Sequence, residues 1–146
     1  MLLFYVGTDL FACDAEEVME VVPNVKLKHI AGLSTFVAGV LNFGGSSVPI
    51  IDFCQLLAKR KCLDCMHTRI ILFKKDPETQ SPIPAMGIIA EKVIQIEEVN
   101  VEHFMTEPRT VAAFPYFKGI ISSGNRSIQL ISLPHLYEAM KETAQI

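Results

Sequence analysis

Short apolar runs separated by turn residues recur along the chain, and this pattern predicts β-strands. Leu2–Val6 and Leu10–Cys13 flank Gly7-Thr8-Asp9, which predicts a β-hairpin at the start of the chain. Similar runs predict further strands at Phe36–Phe43, Ser47–Ile51, Arg69–Lys74, Ala85–Ala90, Ile94–Val99, Phe117–Ser122 and Ser127–Ile131. Many short strands with evenly placed turns are typical of small β-barrels.

A few segments have helical rather than strand-like patterns. Asp14 is placed to cap a short helix that carries Val18, Val21 and Val22 on one side and ends at Pro23. Asp52 is placed to cap a second helix of about two turns, and residues 132–144 predict a C-terminal helix with a buried apolar face. Residues 91–93 predict a turn or short helix, and residues 24–35 a connector.

The chain contains an internal repeat. Residues 36–57 align without a gap to residues 116–137, so that Gly39 corresponds to Gly119, Gly44 to Gly124 and Leu56 to Leu136. Upstream, residues 11–18 align to residues 86–93, which pairs Val18 with Val93. The repeat predicts a single domain over residues 1–146, made of two similar lobes at approximately 1–68 and 69–146.

Composition narrows the function classes. Half of the residues are hydrophobic, the mean hydropathy is +0.34, and the net charge is −3. An excess of apolar side chains in a small protein favours surfaces that bind protein partners. Lys and Arg do not outnumber Asp and Glu, which argues against a protein that binds nucleic acid. Residues 29–51 carry no Asp, Glu, Lys or Arg, but their glycines and Pro49 predict strands rather than a membrane helix. The N-terminus lacks a positive segment, so we expect a cytoplasmic protein with four reduced cysteines.

Cys62 and Cys65, with Cys54 and His67 nearby, are the candidates for metal or thiol chemistry. A C-x-x-C pair is a common half-site for zinc and also occurs in redox proteins, but the second half of a zinc site is irregular here. An incidental loop is the third reading, and it is the one we expect. Cys13 lies in an apolar run and is expected to be part of the core. Neither repeat carries a cluster of nucleophile, base and acid, so we expect no enzyme activity, no cofactor and no metal.

Residues 37–52, VAGVLNFGGSSVPIID, resemble the hallmark of the CheW-like domain, roughly G-V-x-N-x-R-G-x-x-x-P-V-I-D. The segments LLFYVGTDLFACDAEEVMEVV, GIIAEKVIQIEEV and YFKGII also resemble that family, and the similarity covers nearly the whole chain. Residues 26–32 and 50–56 further resemble the CheW-type couplers of surface-sensing, Wsp-type chemosensory systems. The resemblance implies a mainly β fold of two SH3-like five-stranded β-barrels that share a core, with short helices and a C-terminal helix.

The resemblance also implies candidate partner-binding residues. Asn42, Gly45, Pro49 and Asp52 match hallmark positions, whereas Gly44 stands where the family has arginine. Arginine offers a rigid fork of hydrogen-bond donors that glycine cannot replace. The full set of expected protein-interaction residues is Val18, Glu20, Val21, Gly39, Asn42, Gly44, Ile71, Val93 and Gly119.

The implied function is that of a non-enzymatic adaptor. Such a protein couples the cytoplasmic tip of a chemoreceptor to the regulatory domain of a CheA-type histidine kinase, and reaches membrane-associated receptor arrays only through these partners. The alternatives are a stand-alone module of similar fold that binds a small ligand or a protein, and, less favoured, a metal or thiol protein that uses Cys62 and Cys65.

Overall fold

A computed structural model describes residues 1–32, 35–58, 66–74, 85–96, 98, 104–105 and 116–144. These residues form a mainly β protein with two α-helices. The strands are β1 Leu2–Val6, β2 Asp9–Cys13, β3 Val18–Pro23, β4 Val37–Phe43, β5 Ser46–Asp52, β6 Arg69–Phe73, β7 Met86–Ala90, β8 Lys92–Ile96, β9 Phe104–Met105, β10 Phe117–Ser123 and β11 Arg126–Ile131. The helices are α1 Phe53–Ala58 and α2 Leu133–Ala144, and Ala15–Glu17 form a 3₁₀ turn.

The strands form two sheets of the same design. One sheet has the order β3-β6-β7-β5-β4 and the other β8-β1-β2-β11-β10, extended by the two-residue β9. In each sheet a hairpin (β6–β7 or β1–β2) lies between an antiparallel edge strand (β3 or β8) and a parallel neighbour (β5 or β11). The sheets therefore match strand for strand, as the internal repeat predicts.

The two repeat units exchange their first hairpins. The unit at 1–68 runs from β1 to α1, but β1 and β2 lie in the sheet that contains β8, β10 and β11. The unit at 69–146 gives β6 and β7 to the sheet that contains β3, β4 and β5. The units are therefore a division of the sequence, and each sheet contains strands of both.

Each sheet curls around a core of its own. In the sheet formed by strands β3 to β7, the edge strands are β3 and β4. Val22 of β3 and Leu41 of β4 pack against the same buried cluster, which contains Ile50, Ile70 and Leu72. Contact of both edges with one cluster closes the sheet into a barrel, which we call barrel 1. In the other sheet, strands β1, β2, β10 and β11 surround a second cluster, and we call this sheet barrel 2.

A third and larger core lies between the two barrels. It combines Phe4 and Phe11 of barrel 2 with Ile71 and Phe73 of barrel 1, and the helices add Phe53 and Tyr137. The Phe11 and Phe53 rings meet edge to face with centroids 5.2 Å apart. Alternation along the strands explains the arrangement, because successive side chains of β6 point into barrel 1 and into the shared core in turn.

The two helices begin in the way that the sequence predicts. The Asp52 carboxylate accepts hydrogen bonds from the backbone N–H groups of Cys54 (3.0 Å) and Gln55 (3.2 Å), which caps α1. In α2, Leu133, Leu136 and Tyr137 are buried, and the Tyr137 hydroxyl donates to the Lys74 carbonyl at 3.0 Å. This bond ties the last helix to barrel 1, since Lys74 follows β6.

The structure corrects the sequence-based interpretation in two segments. Asp14 does cap a helical turn, and its carboxylate accepts from the Glu16 N–H at 3.1 Å, but that turn ends at Glu17. Val18–Pro23 is strand β3 rather than a helix, and pairs with β6. The predicted turn after β7 is reduced to a bend at Glu91, so that β8 begins at Lys92. In both segments a partner strand satisfies the backbone groups that a helix would have paired internally.

Candidate partner-binding surfaces

The edge strands β3 and β8 place four of the predicted interaction residues at the surface. Val18 and Val21 of β3 are half-buried and pack against the shared core, and Glu20 between them is exposed. Val93 of β8 is also half-buried against that core. A half-buried valine on an edge strand keeps part of its side chain accessible, so a partner is able to bury the remainder.

The two edge strands are equivalent, and this equivalence reveals residues that the sequence analysis missed. Val18 corresponds to Val93 in the repeat, and one residue further Met19 corresponds to Ile94. Met19 is 40% exposed, Ile94 39% and Ile96 71%. Extension of the aligned segments 11–18 and 86–93 by a single residue would have found the first pair.

Three of the predicted residues are buried. Ile71 is fully buried in the shared core, so its side chain is not available to a partner in this conformation. Gly39 and Gly119 are also buried, at corresponding positions of β4 and β10 opposite Ile50 and Leu130. β6 is buried over nearly its whole length, so sequence alternation gave no sign of which residue faces outward.

Gly39 has a structural reason to lack a side chain. A Cβ at this position would lie 2.8 Å from both the Leu27 Cβ and the Lys28 carbonyl oxygen. Lys28 and Val40 exchange two backbone hydrogen bonds of 2.9 Å, which hold the connector against β4. Gly39 therefore allows this connector to lie close to the strand.

The β4–β5 hairpin carries the hallmark residues at its tip. Gly44 and Gly45 have φ of +57° and +82°, as a two-residue type I′ turn requires, and Asn42 beside them is exposed. Nothing lies within 4 Å of a Cβ built at Gly44. Val40 bonds to Lys28 and not to Pro49 opposite, so Pro49 lies where β4 needs no donor.

Of the four cysteines, the structure describes Cys13 and Cys54. Cys62 and Cys65 lie outside the described residues, and His67 is exposed. Within the described part of the chain, no group of three or more His, Cys, Asp or Glu residues is arranged to hold a metal. Cys54 is fully buried and disulfide-bonded, which corrects the expectation that all four cysteines are reduced. Burial, reinforced by the charges of Glu17 and Asp14, raises the pKa of the Cys13 thiol to about 12, so this thiol is unreactive.

Comparison with known proteins identifies the family. The model of the CheW-like domain matches residues 1–141. The chain belongs to this family. The chemotaxis protein CheW of Klebsiella aerogenes is 24% identical over 137 residues, which cover 92% of the chain and 79% of that protein.

A solved structure shows the same fold. The scaffolding protein TtCheW from Thermoanaerobacter tengcongensis superposes with a TM-score of 0.77 at 22% identity, over 90% of this chain and 82% of that one. No helix in the described ranges is both long and apolar enough to cross a bilayer.

Proposed function

We propose that the protein is a non-enzymatic cytoplasmic adaptor in bacterial chemosensory signalling. It couples the cytoplasmic tip of a chemoreceptor to the regulatory domain of a CheA-type histidine kinase, and joins receptor arrays through these partners. Family membership supports the class of function. The resemblance of residues 26–32 and 50–56 to Wsp-type couplers makes the receptor and kinase of a surface-sensing system the first partners to test.

The observation that carries the proposal is the equivalence of β3 and β8. Val18 and Val93 hold the same place on the edge strands of two related barrels, each half-buried and each beside an exposed apolar residue, Met19 or Ile94. Interfaces draw most of their energy from a few central apolar side chains that partners bury completely. Two such strands give one chain two separate contact surfaces, which a protein that bridges two partners needs.

The whole chain acts as one unit in this proposal. Because the repeat units exchange hairpins, neither barrel can be formed by one unit alone. The shared core then holds the two edge strands in a fixed relation, so that a partner on one barrel meets a defined geometry on the other. No cofactor or metal enters the mechanism.

Calorimetry with purified kinase regulatory domain and receptor tip tests the proposal. Val93→Asp is expected to weaken binding by about 2 kcal/mol or more, because a charge replaces an apolar contact at an interface centre. Val25→Asp is the matched control, since Val25 is 46% exposed and belongs to the connector rather than to either edge strand. If the wild type binds neither partner, the adaptor proposal is wrong. If both variants lose affinity equally, β8 is not the contact surface.

Gly44→Arg tests the departure from the family hallmark. A Cβ at Gly44 has no neighbour within 4 Å, although the positive φ costs a side chain there about 1–2 kcal/mol of stability. A restored charged hydrogen bond of about 1.5–3 kcal/mol would tighten binding to a receptor of the common type. If this protein's own receptor is adapted to glycine, its binding should change little or weaken. Equal tightening with both receptors would contradict this adaptation.

A further inference from the structure

Barrel 2 has a polar cavity at one of its ends. The cavity measures about 540 Å³ and lies between two hairpin turns, the one that joins β1 to β2 and the one that joins β10 to β11. Most of its lining side chains are polar, while Leu10 and Ile120 provide apolar contact. Cavities of this size at the mouth of a β-barrel are common ligand sites. We call this cavity the barrel mouth.

The barrel mouth contains one positive and one negative side chain. Arg126 of β11 is half-buried, and Asp9 of β2 is exposed at the rim. The guanidinium of arginine presents a planar fork of donors that matches a carboxylate, and the Asp9 carboxylate suits an ammonium group. Tyr5 and Gln129 add neutral hydrogen-bonding groups. A lining with opposite charges and no net charge matches a ligand with the same properties.

The walls of the barrel mouth are held in place by buried contacts. Glu91 is 7% exposed; its carboxylate accepts from the Gly7 N–H at 2.6 Å, and its N–H donates to the Tyr5 carbonyl at 3.0 Å. These two hydrogen bonds from Glu91 hold the turn that precedes Asp9 in place. On the other side, Leu10 and Ile128 are register partners in the parallel pair of β2 and β11. Both charged residues therefore extend from anchored strands, which reduces the entropy that a ligand must overcome.

The corresponding hairpin of barrel 1 lacks this charge. Arg126 and Ser46 occupy equivalent register positions, opposite Ser123 and Phe43. The repeat therefore offers the same turn with a neutral residue in barrel 1. The charge pattern belongs to one barrel, so the shared fold does not require it.

We propose that the barrel mouth binds a small zwitterion, a free amino acid or a dipeptide, whose carboxylate pairs with Arg126 and whose ammonium group pairs with Asp9. The site is distinct from the edge strands that the adaptor function uses. It is connected to one of them, because Glu91, which anchors the rim, immediately precedes β8 and Val93.

Titration of the ¹⁵N-labelled full-length protein tests the proposal. The probes are glycine, glutamine and diglycine, with acetate and methylamine as molecules that carry one charge each. We expect the zwitterions to shift the amide signals of Leu10, Ile120 and Ser127. Arg126→Gln and Asp9→Asn should each weaken binding about tenfold or more, a difference that corresponds to about 1.4 kcal/mol. Lys26→Gln removes an exposed charge outside the cavity and should bind like the wild type.

Two results would overturn the proposal. One is the absence of any shift with all three zwitterions at about 10 mM, well above a millimolar dissociation constant. The other is a response to acetate that equals the response to the zwitterions and survives Asp9→Asn, since this would show a simple anion site. Asp9 is exposed and its replacement leaves the core intact, so this variant decides the matter even if Arg126→Gln lowers stability.

Discussion

Gly39 lies where strand β4 meets the backbone of the connector before it. The structure leaves no room for a methyl group there, because both the Leu27 Cβ and the Lys28 carbonyl oxygen would be 2.8 Å away. The family resemblance implied a role for this glycine at a binding surface. Its burial indicates that any effect on partners is indirect.

Gly39→Ala is therefore expected to destabilise the protein by about 1–3 kcal/mol, the usual cost of forcing extra volume into a packed site. Gly44→Ala is the matched control, since nothing lies within 4 Å of its Cβ and only the positive φ opposes the change, at about 1–2 kcal/mol. Denaturant unfolding of both variants gives the two values. A smaller loss at Gly39 than at Gly44 would contradict the steric explanation.

Cys13 makes the stability of the fold depend on alkaline pH. Its thiol ionises at an ordinary pKa of 9.0 when unfolded, whereas burial raises the folded pKa to about 12. Below pH 9 the thiol is protonated in both the folded and the unfolded state, so the contribution of Cys13 to the free energy of unfolding is fully present. Between pH 9.0 and about 12 only the unfolded state loses the thiol proton. The free energy of unfolding therefore falls as pH rises, by at most about 1.4 kcal/mol per pH unit. Unfolding curves between pH 8 and about 11 should show a steeper decline for the wild type than for Cys13→Ala. Parallel declines would show that this thiol is not responsible.

At the scale of elements, the hairpins and helix caps could be predicted from the sequence because their signals are local. Glycines at the turn, a carboxylate before α1 and apolar runs of five residues all act within a few positions. Strand β3 could not be predicted in this way. Its valines and the Asp14 cap fit a helix equally well, and the deciding partner is β6, whose Ile71 and Phe73 lie far along the chain. The same limit explains why Ile71 was expected at an interface.

The cap of α1 offers a direct measurement. Asp52→Ala removes the oxygen that accepts from the Cys54 and Gln55 N–H groups, and should cost about 1 kcal/mol. Asp52→Asn keeps an acceptor oxygen and should retain most of the stability. Thermal unfolding of the two variants separates the cap from the bulk of the side chain. If both variants lose the same stability, the cap is not the source of the effect.

At the scale of the whole molecule, the repeat in the sequence predicted two related lobes but not the exchange of hairpins between them. The reason is physical. β1–β2 and β6–β7 are equivalent hairpins, and each makes the same kinds of strand pairing within its own barrel. Sequence similarity therefore cannot tell which repeat supplies the hairpin of which barrel. The contacts between β1 and β8 and between β3 and β6 settle that question.

The exchange predicts the behaviour of a fragment. Residues 1–68 contain β1–β5 and α1, but the hairpin that completes barrel 1 is absent, and β1 and β2 have lost β8 and β11. We expect this fragment to be unfolded as a monomer, because the remaining strands leave large apolar faces uncovered. Circular dichroism and light scattering at low concentration provide the readout. A monomer that unfolds cooperatively would show that one repeat unit is sufficient for a lobe.

The exchange of hairpins also has a consequence for folding during synthesis on the ribosome. All five strands of barrel 1 are contiguous in the chain, so this barrel can close once β7 has emerged. β1 and β2 emerge first, but the parallel partner of β2 is β11, which contains Ile128 opposite Leu10 and is synthesised near the end of the chain. Throughout that interval Phe4 and Phe11 lack part of their cover, and exposed apolar hairpins of this kind are prone to aggregate. The segment that is synthesised earliest is thus among the last to be completed, and its apolar side chains stay partly uncovered until most of the chain has been made.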